Sequence, residues 1–173
     1  MTAFENRDQW FESYQQGWLK HFQETGQFDW KIYQRPKNTT PISGAAIDLS
    51  QSRLALISTA GAYLKDEQTP FDAPHPIGDY SIRTFPSSTA FDQLDYAHTH
   101  YDQTAVRTDA QVLLPLRHLE NMVREGYIGE LAPSVISYMG YQPDATRTMD
   151  ETFPAILERL KQERVQAALL VPA

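Results

Sequence analysis

Between residues 7 and 25 the large apolar side chains recur at every third or fourth position, as Trp10, Phe11, Tyr14, Trp18 and Phe22, with Gln, Glu and Lys between them. That spacing gathers the rings on one face of a helix, and Gly26 is a natural stop. Such a face either packs on the rest of the chain or offers Trp10, Tyr14 and Trp18 to a protein partner. From 29 to 52 the period is lost. Pro36, Asn38, Thr39, Thr40, Pro41, Ser43 and Gly44 favour turns, which predicts an extended connector.

Two continuous apolar runs follow a different rule. Residues 54–57, Leu-Ala-Leu-Ile, are short and flanked by polar positions, as in a strand buried on both faces. Residues 165–171 form a second such run and predict a second buried strand. Pro115 suits a first helical turn; Leu116, Leu119 and Val123 then share a face and Gly126 closes the helix. Thr148 and Glu151 have capping-box spacing ahead of the stripe Phe153, Ile156, Leu157 and Leu160, which predicts a helix to about residue 163. Weaker strand patterns cover 79–86, 91–97 and 135–138, and Pro70, Pro74, Pro76 and Gly78 exclude helix or central strand from 65–78. The order is βα-alternating. It predicts an α/β fold with a mostly parallel sheet and flanking helices, residues 46–173, preceded by an N-terminal aromatic helical arm and connector, residues 1–45.

Composition narrows the function classes. Fifteen Lys and Arg against 22 Asp and Glu give a net charge of −7, which offers no general attraction to nucleic acid or anionic membranes. No run reaches the ~18 apolar residues of a membrane span, and the first residues lack a basic-then-apolar signal, so a cytoplasmic protein that is not integral to a membrane is expected. The chain has no cysteine, which removes disulfides, thiolate metal sites and cysteine nucleophiles from these residues.

The sharpest polar cluster is His98-x-His100-x-Asp102. In an extended segment these three side chains point the same way, as metal ligands or as polar contacts to a ligand or proton would. The spacing resembles the start of the metallo-β-lactamase ligand motif, but Gln103 stands where that motif has a further His. No metal site is therefore expected; a polar ligand contact and a hydrogen-bonded structural cluster both remain open. Thr59 and Gly61, just beyond the first predicted strand, are small enough for a ligand to approach the backbone, although a plain turn has the same composition. No nucleophile elbow, phosphate-binding loop or dinucleotide fingerprint is present, so the residues by themselves assign no reaction and call for no cofactor.

Several ordered segments carry a family resemblance. They are residues 53–65, Pro70-Phe-Asp72, Gly78-Asp-Tyr-Ser-Ile-Arg83, His98-Thr-His-Tyr-Asp102, Leu114-Pro-Leu116, and the stretch from Gly126-Tyr-Ile-Gly129 to Ser137-Tyr-Met-Gly-Tyr141. Together, over about residues 50–173, they resemble the glycine, sarcosine, betaine and D-proline reductase selenoprotein B family. The resemblance implies an α/β fold in which a selenocysteine or cysteine follows an apolar strand ending like Leu169-Leu-Val-Pro172 and attacks the carbon that bears the amine. It also implies partner subunits, one of which carries a pyruvoyl group in the D-proline enzyme.

Two readings follow from it. In one, the chain is a short relative that keeps the fold and a pocket for a small amine or amino acid, built from Thr59, Gly61, His98, His100 and Asp102. It has then lost the redox chemistry and binds a ligand or a protein partner. In the other, the catalytic C-terminal part continues past a selenocysteine codon and the chain is a reductase subunit. The first is the expectation taken forward, because the aromatic arm adds an interaction surface.

Overall fold

The computed structural model describes residues 4–39, 44, 46–98 and 101–173. The aromatic spacing does form a helix: α1 (Arg7–Ser13) passes through a wider π turn (Tyr14–Leu19) into α2 (Lys20–Thr25). Gly26 ends it at a φ of 69°, a left-handed conformation that residues with a Cβ adopt at a cost. Trp10, Tyr14 and Trp18 are buried with Phe4 against Tyr33, Ile77, Ala145 and Met149. The rings form a ladder, with Trp10 on Tyr14 at 5.2 Å and Tyr14 on Trp18 at 5.6 Å. Aromatic side chains bury more area than any others, so this stripe fastens the arm to the rest of the chain. The ladder runs outward through Phe28 and Trp30, which are 44% and 50% exposed.

The first apolar run is β1 (Arg53–Ser58), buried from Leu54 to Ser58 as its composition requires. It lies at the heart of a mostly parallel sheet. The short β2 (Ala62–Leu64) leaves that sheet and pairs antiparallel with β4 (Leu94–Tyr96), while β3 (Ile82–Pro86) returns as an antiparallel edge. On one side of β1 run β5 (Glu130–Leu131) and β6 (Ser134–Tyr138). Ala132 and Pro133 between them shift the register, from Leu54 opposite Leu131 to Ile57 opposite Ile136. On the other side, β7 (Ala167–Val171) pairs with β1 in parallel from Leu54–Ala167 to Ser58–Val171.

Helices cover both faces. The short α3 (Thr104–Thr108) and α4 (Leu116–Arg124) lie on the side where Leu54 and Leu56 meet Val106, Leu116 and Leu119. The opposite face carries Ile57 and Ile136 beneath Ile156 and Leu160. That covering helix begins earlier than the capping-box spacing predicts. Asp144 is the cap, accepting from the amides of Thr146 and Arg147, and α5 (Ala145–Arg147) runs through a π turn (Thr148–Thr152) into α6 (Phe153–Gln162). Pro154 supplies the reason for the wider turn, since it has no N–H to give and its ring collides with the preceding turn. The second correction concerns β7. It joins the sheet as its apolar run predicts, but it is not buried: among the described residues only β1 pairs with it, and Leu170 stays 64% exposed. Among the described residues no helix is long and apolar enough to cross a membrane.

Candidate functional site

The carboxyl ends of β1 and β6 meet in a tight polar crossing. Ser58 ends β1 and Ser137 is the last residue but one of β6, both fully buried; the Ser137 hydroxyl accepts from the Ala62 amide at 2.8 Å, and Gly61 donates to the Tyr138 carbonyl at 3.1 Å. Gly61 sits at a φ of 64°, and a Cβ there would stand 2.7 Å from the Met139 sulfur and 3.1 Å from the His98 amide nitrogen. Gly140 has the complementary role. Its missing Cβ would lie 3.2 Å from the Thr59 hydroxyl oxygen and 3.3 Å from His98 Nε2. The two glycines therefore allow Thr59, His98 and the β6 end to close on one another. His98 is buried, with its ring 5.0 Å from that of Tyr101, whose hydroxyl donates to the Ala60 carbonyl.

Thr59, Gly61 and His98 are thus brought together as the sequence reading has them. Asp102 is not part of this crossing. It is exposed and accepts from the amide and hydroxyl of Thr104 at 2.9 and 2.7 Å, bonds that hold its carboxyl below the ordinary 3.8. His100 lies outside the described residues. Among those residues no three His, Asp or Glu side chains converge as metal ligands would. Trp10, Tyr14 and Trp18 are buried in the arm's own cluster, so none of the three presents its ring to a partner here.

Beside the crossing lies a cavity of about 390 Å³. Its floor is Thr59, Tyr138, Gly140 and Gln142; one wall is Phe4, Tyr33, Lys37 and Asn38 from the arm and connector, and the other is Thr148, Met149 and Phe153. Sequence reading assigns none of those wall residues to a site, since it places Thr148 and Phe153 only in a helix and finds no period in the connector. The floor is well held: the Gln142 amide donates to the Asp79 carbonyl and to the Thr152 hydroxyl, both at 3.0 Å, and Thr152 donates to the Tyr80 carbonyl at 2.7 Å. The connector is pinned by Tyr33, whose hydroxyl donates to the Pro143 carbonyl at 2.8 Å. Burial, with Asp144 and Tyr141 adding to it, pushes this phenol up to about 12, so it stays a donor throughout the physiological range. The residues after β7 reach the same place, for the Ala173 amide donates to the Thr59 hydroxyl at 2.7 Å.

A crevice beyond the carboxyl ends of parallel strands is where open α/β sheets take their ligands. This one offers hydroxyls, two side-chain amides, aromatic rings and, among the described residues, one cation. Those groups suit the binding and orientation of a small polar molecule; none of them is a strong nucleophile.

Comparison with known proteins bears on what the crevice serves. The family described as glycine/sarcosine/betaine reductase selenoprotein B matches residues 20–173, so the likeness reaches back into the arm, beyond the ordered segments from about residue 50 onward. The chain is 31% identical over 135 residues to the D-proline reductase subunit gamma of Acetoanaerobium sticklandii, a match over 78% of this chain and 53% of that protein. It is 29% identical over 102 residues to the sarcosine reductase complex component B subunit beta of Peptoclostridium acidaminophilum, over 58% of this chain and 23% of that one. The chain therefore spans about half the length of the first of these relatives and about a quarter of the second. No solved structure matches it.

Proposed function

We propose that this chain, which belongs to the glycine/sarcosine/betaine reductase selenoprotein B family, binds a small amino-acid ligand and assembles with a protein partner, without supplying the redox nucleophile from residues 1–173. The observation that carries this is the cavity between the β1 and β6 ends and the connector, with Thr59 and Gly140 in its floor. Residues 1–173 contain no cysteine, so a reducing sulfur or selenium has to come from other residues. The relatives' names, each a subunit of a reductase, support a protein partner. We read residues 1–45 as the arm that reaches the partner and residues 46–173 as the ligand-binding unit. On the arm the exposed rings of Phe28 and Trp30, rather than the buried Trp10, Tyr14 and Trp18, are the aromatic surface open to such a contact.

One observation favours a second reading. The backbone after β7 is hydrogen-bonded to Thr59, so residues following that strand stand at the cavity, where a nucleophile would meet a bound amino acid. In that reading the chain is the ligand-holding part of a reductase subunit that cleaves a C–N bond reductively.

Titration calorimetry with D-proline, sarcosine, betaine and glycine tests the proposal. Binding of at least one of them is expected, together with weakening by Gly140→Ala, which pushes on the Thr59 side chain. No heat from any of the four at millimolar concentration would remove the ligand-binding reading. Turnover of a bound amino acid by residues 1–173 with a dithiol alone would remove the claim that the nucleophile lies elsewhere.

A further inference from the structure

We propose that β7 pairs with β7 of a second copy of this chain, antiparallel and about a two-fold axis at Leu169, so that the sheet runs on from one copy into the other. The seam is a sheet edge, and the inference stands independently of the ligand-binding reading. Composition and position disagree along this strand. Residues 165–173, Val-Gln-Ala-Ala-Leu-Leu-Val-Pro-Ala, contain no charged side chain. Yet among the described residues only β1 pairs with β7, and Leu169 and Leu170 are 36% and 64% exposed. An open edge is ordinarily defended by a lysine, a proline within the strand or an inward-pointing charge. From Ala167 to Val171 β7 has none of these.

The backbone sets how a second strand joins. The Val171 carbonyl accepts from the Thr59 amide, so Val171 turns its polar groups towards β1. Alternation along the strand turns those of Ala167 and Leu169 the same way and those of Ala168 and Leu170 outward. An antiparallel neighbour bonds through opposed residues that exchange both N–H···O bonds. A two-fold axis at Leu169 sets Ala168 of each copy opposite Leu170 of the other, so the outward-facing residues meet and their free amides and carbonyls are all used. The side chains agree with that register. Leu170 stands against Ala168 on the face that carries Ile57, and Val171 against Ala167 on the opposite face, a large residue on a small one each time. An axis at Leu170 would instead set Ala168 opposite Pro172, which has no N–H to give. A strand of any sequence satisfies the backbone; the large-on-small register is what favours a second β7. Each copy carries a net charge of −7, and a contact free of charged residues leaves that repulsion outside the seam. A seam of five residues, about 17 Å long, is small beside a standard interface of about 1,600 Å², so association is expected at micromolar rather than nanomolar concentrations.

Sedimentation velocity of the full chain over a micromolar concentration series, joined to oxidation of single-cysteine variants, tests the seam. The unaltered chain should pass reversibly from monomer to dimer as concentration rises. Leu170→Asp, at an exposed position, should weaken the dimer at least tenfold, whereas Tyr127→Asp, equally exposed beyond the end of α4, should leave it unchanged. Because the chain has no cysteine of its own, Leu169→Cys places one thiol per copy at the axis, where Cα atoms about 4.5 Å apart allow a disulfide. It should cross-link under mild oxidation at least tenfold faster than Ala167→Cys or Tyr127→Cys. A chain that stays monomeric throughout the series would overturn the proposal. So would dissociation by Tyr127→Asp as complete as by Leu170→Asp, or equal cross-linking rates for the three cysteine variants.

Discussion

The Tyr33 hydroxyl donates to the Pro143 carbonyl at 2.8 Å, and this bond joins the connector to the loop that follows β6. It ties one wall of the cavity to its floor. Tyr33→Phe keeps the ring and removes the bond, leaving a part-buried carbonyl without its donor. A loss of about 1 kcal/mol in urea denaturation, with an unchanged slope, is expected. An unchanged midpoint would mean that the connector is held by its ring contacts alone.

Trp18 is 1% exposed and touches rings on either side of it, whereas Trp30 is half open to solvent. Trp18→Ala should therefore cost about 3–5 kcal/mol, as large-to-small changes in a packed core do. Trp30→Ala should cost less, about 1–2 kcal/mol, because that ring touches Trp18, Phe28, Tyr33 and Tyr141 but is half open to solvent. Equal effects would contradict an inward-packed stripe.

Gly61 and Gly126 share a positive φ, at 64° and 80°, but differ in surroundings. A Cβ on Gly126 meets nothing within 4 Å, while one on Gly61 meets the Met139 sulfur and the His98 backbone. Either glycine replaced by Ala carries a backbone cost of about 1–2 kcal/mol. Gly61→Ala should add a steric penalty to it, so differential scanning calorimetry should show the larger drop for Gly61→Ala. Comparable drops would mean that Met139 moves aside freely.

Alkaline pH should destabilise the protein. Tyr33, Tyr96, Tyr101 and Tyr141 are each pushed up to about 12 from the ordinary 10.0, in every case first by burial. Above pH 10 the unfolded chain releases these phenolic protons while the folded chain keeps them. Stability from this source is full below pH 10 and declines as pH rises towards 12. A urea midpoint that held steady between pH 10 and 12 would contradict the buried state of these rings.

Asp144→Ala removes the cap of the helix that lines the cavity and should cost about 1 kcal/mol. Thr148→Ala, at the position the sequence pattern favours as a cap, should cost less, because that residue lies inside the helix.

Those two residues illustrate what a sequence can disclose. Thr148 and Glu151 have the spacing of a reciprocal cap, yet Asp144 has the free amides in reach, and spacing does not say which of two polar residues comes first. The run of residues 54–57 is legible because a short, wholly apolar stretch flanked by polar residues suits a strand covered on both faces, and β1 is such a strand. The same rule places β7 in the sheet but misjudges its cover, since composition reports what a strand prefers and not which neighbours it has. Thr59, Gly61 and His98, singled out by local chemistry, meet at the β1–β6 crossing, and of the three Thr59 lines the cavity. Tyr33, Lys37, Thr148 and Phe153 also line it but are not singled out, for they meet only when segments far apart in the chain pack together, and the connector that brings two of them has no periodic pattern. Asp102 looks like a partner of His98 in an extended segment, but it caps its own turn.

The chain's three tryptophans, Trp10, Trp18 and Trp30, all lie in the arm and the start of the connector. Indole emission is therefore a private gauge of that region, while amide ellipticity is governed by the sheet and its helices. If the arm peels away before the strands separate, the two optical traces will part company along a denaturant series, and the distance between them will measure how firmly the aromatic ladder is moored.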